Sequence, residues 1–271
     1  MTELADWSRA ADPTRRIGHA VEFHVSIGST NDRAREVLRE SGGEGLAVVA
    51  DLQTAGRGRR GRTWISPPGA NLMVSCALRP AIDASLSGLL GISAALAVRD
   101  ACATVAPDAG LAIRWPNDVV DRTGRKVAGL LVETALEGGS MAEAVIGIGI
   151  NVNWLPSGMP PEIAGTATSL AALAARARVD RIALLGHLLA ALDVEVAALE
   201  RGESPLSRFR THSWLDDRRV EVDTGDGSVI GRVAGIDEDG SLLLEADAGR
   251  LALSVGEVAR VHDAEPTVAP R

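Results

Sequence analysis

Lysine is almost missing from this chain: of 28 basic residues, 27 are arginine and one is lysine, Lys126. Tyrosine is absent, phenylalanine occurs twice, and glutamine occurs once, as Gln53. Asparagine is confined to Asn31, Asn71, Asn117, Asn151 and Asn153. A GC-rich coding bias accounts for these totals and for 43 alanines, but it says nothing about positions. The lysine, the glutamine and the five asparagines all fall between residues 31 and 153, which marks that stretch as the place to look for obligatory hydrogen bonds and charges.

Other absences exclude whole classes of protein. No run of 18 or more apolar residues is present, so no membrane span is expected, and no membrane is expected as a partner. The N-terminus, MTELADWSRAADPTRR, lacks a basic segment followed by an apolar one, so no secretory signal is read and the cytoplasm is the expected compartment. Cys76 and Cys102 sit among apolar neighbours and suggest neither a disulfide framework nor a metal cluster. The net charge is −8 and no wide basic face is visible, so DNA is not an expected partner. With 271 residues and 46% apolar content, the chain is long enough for one or two domains with a real core.

What is present reads as alternating strands and helices. Residues 21–25 alternate apolar and polar as a half-buried strand does. Ser29-Thr30-Asn31 offers side-chain caps for a helix through Ala34, Val37 and Leu38, stopped at Gly42-Gly43. Strands are expected at 46–50, 72–78, 111–115, 126–136 and 141–150, with a helix over 85–104 and further helices within 168–212. Near residue 214 the pattern changes to short strands at 218–223, 228–236, 241–246 and 250–255, which predicts a small barrel. Residues 214–263 hold 12 acidic and 5 basic side chains, so this module carries −7 of the total charge. Residues 264–271 read as a tail.

Four motifs carry chemistry. Gly56-Arg57-Gly58-Arg59-Arg60-Gly61-Arg62 matches G-x-G-x-x-G formally, but Pro67-Pro68 follows where a dinucleotide-binding turn would open into a helix. What remains is a mobile loop with four guanidiniums in seven residues, suited to close as a cationic lid over an anionic ligand. Arg114-Trp115-Pro116-Asn117-Asp118 places an amide and a carboxylate in a turn after a strand. Lys126 begins the apolar run Val127-Ala128-Gly129-Leu130-Leu131-Val132. Gly147-Ile148-Gly149-Ile150-Asn151 carries glycines inside a strand, where a ligand or another backbone approaches closely.

Together with Ser29-Thr30-Asn31 and Gln53-Thr54-Ala55, these motifs resemble the biotin protein ligases in order and approximate spacing over about residues 20–155. The resemblance implies an α+β fold: a mixed β-sheet catalytic domain with flanking helices over 1–213, then an SH3-like β-barrel over 214–263. It also implies the monofunctional type, because the first site motif begins at residue 29 and leaves no room for an N-terminal DNA-binding domain. The implied activity is ATP-dependent: biotin is activated as biotinoyl-5′-AMP and passed to a lysine of a biotin carboxyl carrier domain, with Mg²⁺ accompanying ATP. By motif match, Lys126, Arg57 and Asp118 are the catalytic candidates. Ser29, Thr30, Asn31, Gln53, Arg57, Gly58, Arg59 and Lys126 are the biotin-side candidates. Arg62, Trp64, Asn117, Lys126 and Asn151 are the nucleotide-side candidates, with Asp118 orienting Lys126 or Mg²⁺. Two rivals stay open, a lipoate-protein ligase and a non-catalytic biotin sensor or repressor, and a homodimer is neither required nor excluded.

Overall fold

The computed structural model describes residues 6–40 and 43–262. Its main sheet contains β1 (Val21–His24), β2 (Ala47–Ala50), β3 (Leu72–Leu78), β4 (Ala112–Arg114), β5 (Asp118–Val120), β6 (Lys126–Glu137) and β7 (Ser140–Ile150). Their spatial order is β1-β2-β3-β7-β6-β5-β4. β1 and β2 run parallel and are joined through helix α1 (Thr30–Leu38), while the other neighbours are antiparallel, so the sheet is mixed as expected. The other helices are α2 (Ser87–Val105), the one-turn α3 (Pro161–Ala164) and α4 (Leu170–Leu173), α5 (Arg181–Glu200) and α6 (Leu206–His212).

Strand alternation decides where the core and the site lie, because successive side chains point to opposite faces. On β6 and β7, Ala128, Leu130, Ile146, Ile148 and Ile150 join the core that α2 and α5 pack into. The intervening Gly129, Gly147 and Gly149 face the other side, part of which is covered by α1 through Ala34, Val37 and Leu38 on Val48, Ala77 and Val145. The rest of that face is open, and it forms the floor of the site described below. The stretch Ala84–Val105 and helix α5 are long and apolar enough to cross a bilayer by composition, with mean hydropathy 1.4 and 1.9. Here they spend that apolar surface on each other and on the sheet: Leu90, Leu96, Leu185, Leu188, Leu189 and Leu192 are all buried.

The C-terminal sheet has five antiparallel strands rather than the four the sequence suggested: β8 (Arg219–Asp223), β9 (Ser228–Ile236), β10 (Leu242–Ala246), β11 (Gly249–Leu253) and β12 (Glu257–His262). Their order is β11-β10-β9-β8-β12, and among the described residues no pairing closes β11 onto β12. The sheet is seated firmly on the rest of the chain. Trp115 Nε1 donates to the Gly240 carbonyl at 3.0 Å, and Val220, Val222, Val233 and Leu244 belong to the same core as Ile113. At Gly88 on α2 a Cβ would lie 2.5 Å from the Asp239 carbonyl oxygen, so only glycine lets the helix and the β9–β10 turn meet this closely.

Three local expectations need correction. Ser29 occupies the N-cap of α1, but its side chain makes no capping bond; the Thr30 amide is taken by Gln53 instead. Helix α1 ends at Leu38, before Gly43, and Gly42 lies outside the described residues, as does the tail 264–271. Trp115-Pro116-Asn117 is the turn of a tight hairpin between β4 and β5, with a cis Trp115–Pro116 bond, rather than the end of a longer strand.

Candidate active site

Every site residue singled out from the sequence lines one cavity of about 460 Å³ on the open face of the main sheet. Ser29, Thr30 and Asn31 come from the start of α1, Gln53 from the segment after β2, and Arg57, Gly58, Arg59, Arg62 and Trp64 from the arginine loop. Asn117 and Asp118 arrive on the β4–β5 hairpin, Lys126 at the first position of β6, and Asn151 just past β7.

The centre of the cavity is an ion-paired triad. Lys126 Nζ lies 2.6 Å from Asp118 Oδ1, and an Arg114 guanidinium nitrogen lies 2.7 Å from Asp118 Oδ2. Burial pushes the Asp118 carboxyl up, but Lys126 and Arg114 outweigh it and hold the group below the usual carboxylate value. Asp118 is therefore an anion whose two oxygens are both committed to cations. Lys126 Nζ also stands 5.5 Å from the centroid of the Trp64 ring. This arrangement explains the strand glycines. A Cβ on Gly129 would lie 2.6 Å from Lys126 Nζ, and one on Gly149 would lie 2.4 Å from the Trp64 ring. Gly129 and Gly149 are register partners on β6 and β7, so they clear one patch of floor for both side chains. Side chains pack closely over these glycines, which also line the cavity.

The third glycine makes room for Asn31, whose Oδ1 would sit 2.0 Å from a Cβ on Gly147. Asn31 Nδ2 donates to Glu133 Oε2 at 2.7 Å, and Ser75 Oγ lies 2.6 Å from Asn31 Oδ1 and 2.7 Å from Thr30 Oγ1. Gln53 Oε1 accepts from the Thr30 amide at 2.8 Å and from Thr30 Oγ1 at 3.0 Å. Its oxygen is thus used to cap the helix, and its amide nitrogen has no partner among the described residues. The result is a wall of oriented donors and acceptors fixed by their own hydrogen bonds.

The arginine loop is a folded element in this structure. Gly58 N donates to Arg62 O at 2.6 Å and Trp64 N to Gly56 O at 3.0 Å, around a short 3₁₀ turn over Arg59–Gly61. Each arginine has a different partner. Arg57 forms a two-pronged pair with Asp32 of α1, both contacts at 2.7 Å, and this pair holds the Asp32 carboxyl below its ordinary value. Arg59 points inward, with one nitrogen 3.4 Å from Asn117 Oδ1, and burial pulls its pKa down. Arg60 donates to Asp223 and Arg62 is ion-paired with Glu257, both on the C-terminal sheet.

Several residues around the site lie outside the four sequence motifs. Ser75 is the one polar side chain in the buried run Leu72–Leu78, which is a signal a reader could have used. Asn71 accepts from the Val152 amide at 3.0 Å and has its Nδ2 3.3 Å from Asn151 Oδ1, so it sets the orientation of Asn151. Trp154, Ile163 and Thr166 form a wall after β7, and Glu257, Val258 and Ala259 bring the C-terminal sheet to the rim.

Comparisons with known proteins point to one family. The family model described as Biotin/lipoate A/B protein ligase family matches residues 24–151, and the Biotin protein ligase C terminal domain matches residues 217–261. A bifunctional ligase/repressor BirA of Bacillus subtilis is 34% identical over 240 residues, covering 87% of this chain and 72% of the relative. A biotin–[acetyl-CoA-carboxylase] ligase of Mycobacterium tuberculosis is 33% identical over 247 residues, covering 88% of each chain. Among solved structures, the biotin protein ligase of Aquifex aeolicus in complex with biotin and ATP superposes with a TM-score of 0.75 at 28% identity, covering 89% of this chain and 99% of that one. With the motif residues gathered in one cavity and these relatives matched along most of its length, the chain belongs to the biotin protein ligase family and is a ligase.

Proposed function

We propose that this ligase joins biotin to ATP as biotinoyl-5′-AMP with release of pyrophosphate, and then transfers the biotinoyl group to a lysine of a biotin carboxyl carrier domain. The observation that carries this reading is Lys126, held by Asp118 at the junction of an amide-rich wall and an arginine loop. In the first step a carboxylate attacks an α-phosphate, so two anions must meet. At a separation of about 4 Å and an effective dielectric near 20, their repulsion is roughly 4 kcal/mol. A compact ammonium at the meeting point offsets that repulsion and stabilises charge developing on the phosphoryl group.

On this reading the wall of Ser29, Thr30, Asn31 and Gln53 recognises the ureido ring, which needs both donors and acceptors. Arg57, Gly58 and Arg59 close against biotin, and Arg62 meets the phosphates. Trp64 supplies the flat apolar surface beside Lys126, while Asn117 and Asn151 face the nucleotide. The loop then excludes water from the mixed anhydride. The division into a catalytic domain over 1–213 and a C-terminal module over 214–263 follows the change from the mixed sheet to the antiparallel one.

Among the described residues no three His, Cys, Asp or Glu side chains converge on a metal site, and both Asp118 oxygens are engaged by cations. Among the described residues there is thus no carboxylate cage for Mg²⁺, which would be carried by triphosphate oxygens and water. The test is labelling of a carrier domain with biotin, ATP and Mg²⁺, with lipoate as competitor. Biotin transfer that lipoate does not suppress supports the reading. Preferential lipoate transfer would replace it, and failure to form any acyl-adenylate would reject it.

A further inference from the structure

Asn71 is the most deeply buried of the five asparagines, at 1% exposure, and the function proposed above gives it no task. Its backbone is fixed by Arg181, which donates to the Asn71 carbonyl at 2.9 Å and pairs with Asp51. Its side chain belongs to a directional chain of hydrogen bonds. The Val152 amide donates to Asn71 Oδ1 at 3.0 Å, Asn71 Nδ2 donates to Asn151 Oδ1 at 3.3 Å, and Asn151 Nδ2 donates to the Lys126 carbonyl at 3.3 Å. The first member is a backbone N–H, which can only donate, and the last is a backbone carbonyl, which can only accept. The two side-chain amides between them satisfy every link in one orientation alone. Turning over one or both would set like groups against each other at the ends of the chain.

Orientation matters because Asn151 lines the cavity. Its amide oxygen and its amide nitrogen can each make two hydrogen bonds and spend one here, so the acceptor and the donor still on offer have fixed places. A side-chain amide reads a purine through such a pair. At adenine the 6-amino group donates and the flanking ring nitrogens accept. A 6-oxo purine instead presents an acceptor at position 6. An amide free to turn over serves both kinds of base at little cost. One locked by its neighbours faces the wrong base with oxygen against oxygen, and the unpaired groups that result are what makes such a site selective.

We propose that Asn71 is the positioning residue for purine specificity: by locking the Asn151 amide, it makes the cavity take a 6-amino purine nucleotide over a 6-oxo one. It acts through Asn151 and touches neither the nucleotide nor the reacting atoms. The proposal rests on the reading of the cavity as an ATP site with Asn151 facing the nucleotide; the hydrogen-bond chain does not.

The experiment compares ATP with ITP, whose base carries an oxygen at position 6, in biotin-dependent pyrophosphate release by the full chain. The parent is expected to favour ATP by at least ~10-fold in kcat/KM, the scale of one oriented amide–base pair. Asn71→Asp keeps an acceptor for the Val152 amide but presents oxygen to Asn151 Oδ1, and it is expected to remove most of that preference. Asn71→Ser is expected to do the same without burying a charge, because its hydroxyl is one bond too short to reach Asn151, and it carries the test if the first variant fails to fold. A merely structural role would lower kcat/KM for both nucleotides in proportion and leave their ratio alone. In an Asn151→Ala background, Asn71→Ser is expected to leave the ratio unchanged, because the group it positions is gone. A parental ratio retained in the Asn71 variants, or a change that persists without Asn151, would overturn the proposal. Equal use of ATP and ITP by the parent would reject it and leave the ATP reading standing. A parent that releases no pyrophosphate from ATP would reject both.

Discussion

Lys126 is held in place from three directions. Asp118 pairs with its ammonium, the Trp64 ring lies beside it, and Gly129 beneath it removes the methyl group that would push it away. Replacing it with alanine removes the cation that the proposed function sets between the two anions of the adenylation step. By analogy with deleting a single transition-state donor, Lys126→Ala is expected to lose at least ~10²-fold in adenylation, measured as biotin-dependent pyrophosphate release. Near-normal release would end the assignment. Gly149→Ala tests the floor rather than the cation. Its new methyl group would meet the Trp64 ring at 2.4 Å, and an overpacking penalty of about 1–3 kcal/mol has to be relieved by moving the indole. The expected outcome is a modest fall in melting temperature with a much larger fall in adenylation. A variant that loses stability and activity in proportion would show that the glycine serves only the fold.

At the scale of elements, the parallel β1–α1–β2 unit presents the Thr30 amide and the wall of the cavity, and an ion-pair cluster ties α1 to β1. Arg33 on α1 binds both oxygens of Glu22 on β1, at 2.7 and 2.9 Å, and His24 approaches the same carboxylate. The Arg33 hydrogen bonds, opposed by burial, lower the Glu22 pKa from 4.5 to about 2. A depressed carboxylate pKa contributes stability that is present above the unfolded value and lost as pH falls through the folded one. Glu22→Gln is therefore expected to cost about 1 kcal/mol at pH 7 after allowance for solvent screening. The gap should narrow as pH drops below 4.5 toward about 2, read from urea midpoints across that window. A gap independent of pH would assign the loss to packing.

The same elements show what could be read from sequence. The long strands β3, β6 and β7 and the helices α2 and α5 lie where their apolar runs place them, and the motif residues line one cavity. The missed features depend on distant partners or short lengths. The Thr30 amide is capped by a side chain 23 residues away, so no local capping pattern could show it. β5 has three residues, too few for a period of two to be visible. β12 (Glu257–His262) has only half-buried or exposed residues along its length, so its alternation is weak. The glycines of β6 and β7 were visible, but which groups cross them depends on α1 and the loop folding onto that face.

For the molecule as a whole, the scarcity of lysine has a chemical consequence. An acyl-adenylate that escapes its site acylates nearby primary amines, and most proteins display many of them. This chain displays its α-amino group and Lys126, whose Nζ is 2.6 Å from Asp118 inside the cavity. The 27 arginines are no substitute, since guanidinium stays protonated and is not a nucleophile at neutral pH. The positive charge of the chain is thus carried almost entirely by groups inert to its own proposed intermediate. Incubated with biotin and ATP without a carrier, the protein is expected to gain at most two biotinoyl groups by intact mass, one for each primary amine. A lysine-rich bystander protein in the same tube is expected to be labelled more heavily per chain. Three or more additions to the ligase would mean that side chains other than amines react, and the link between composition and self-protection would fail.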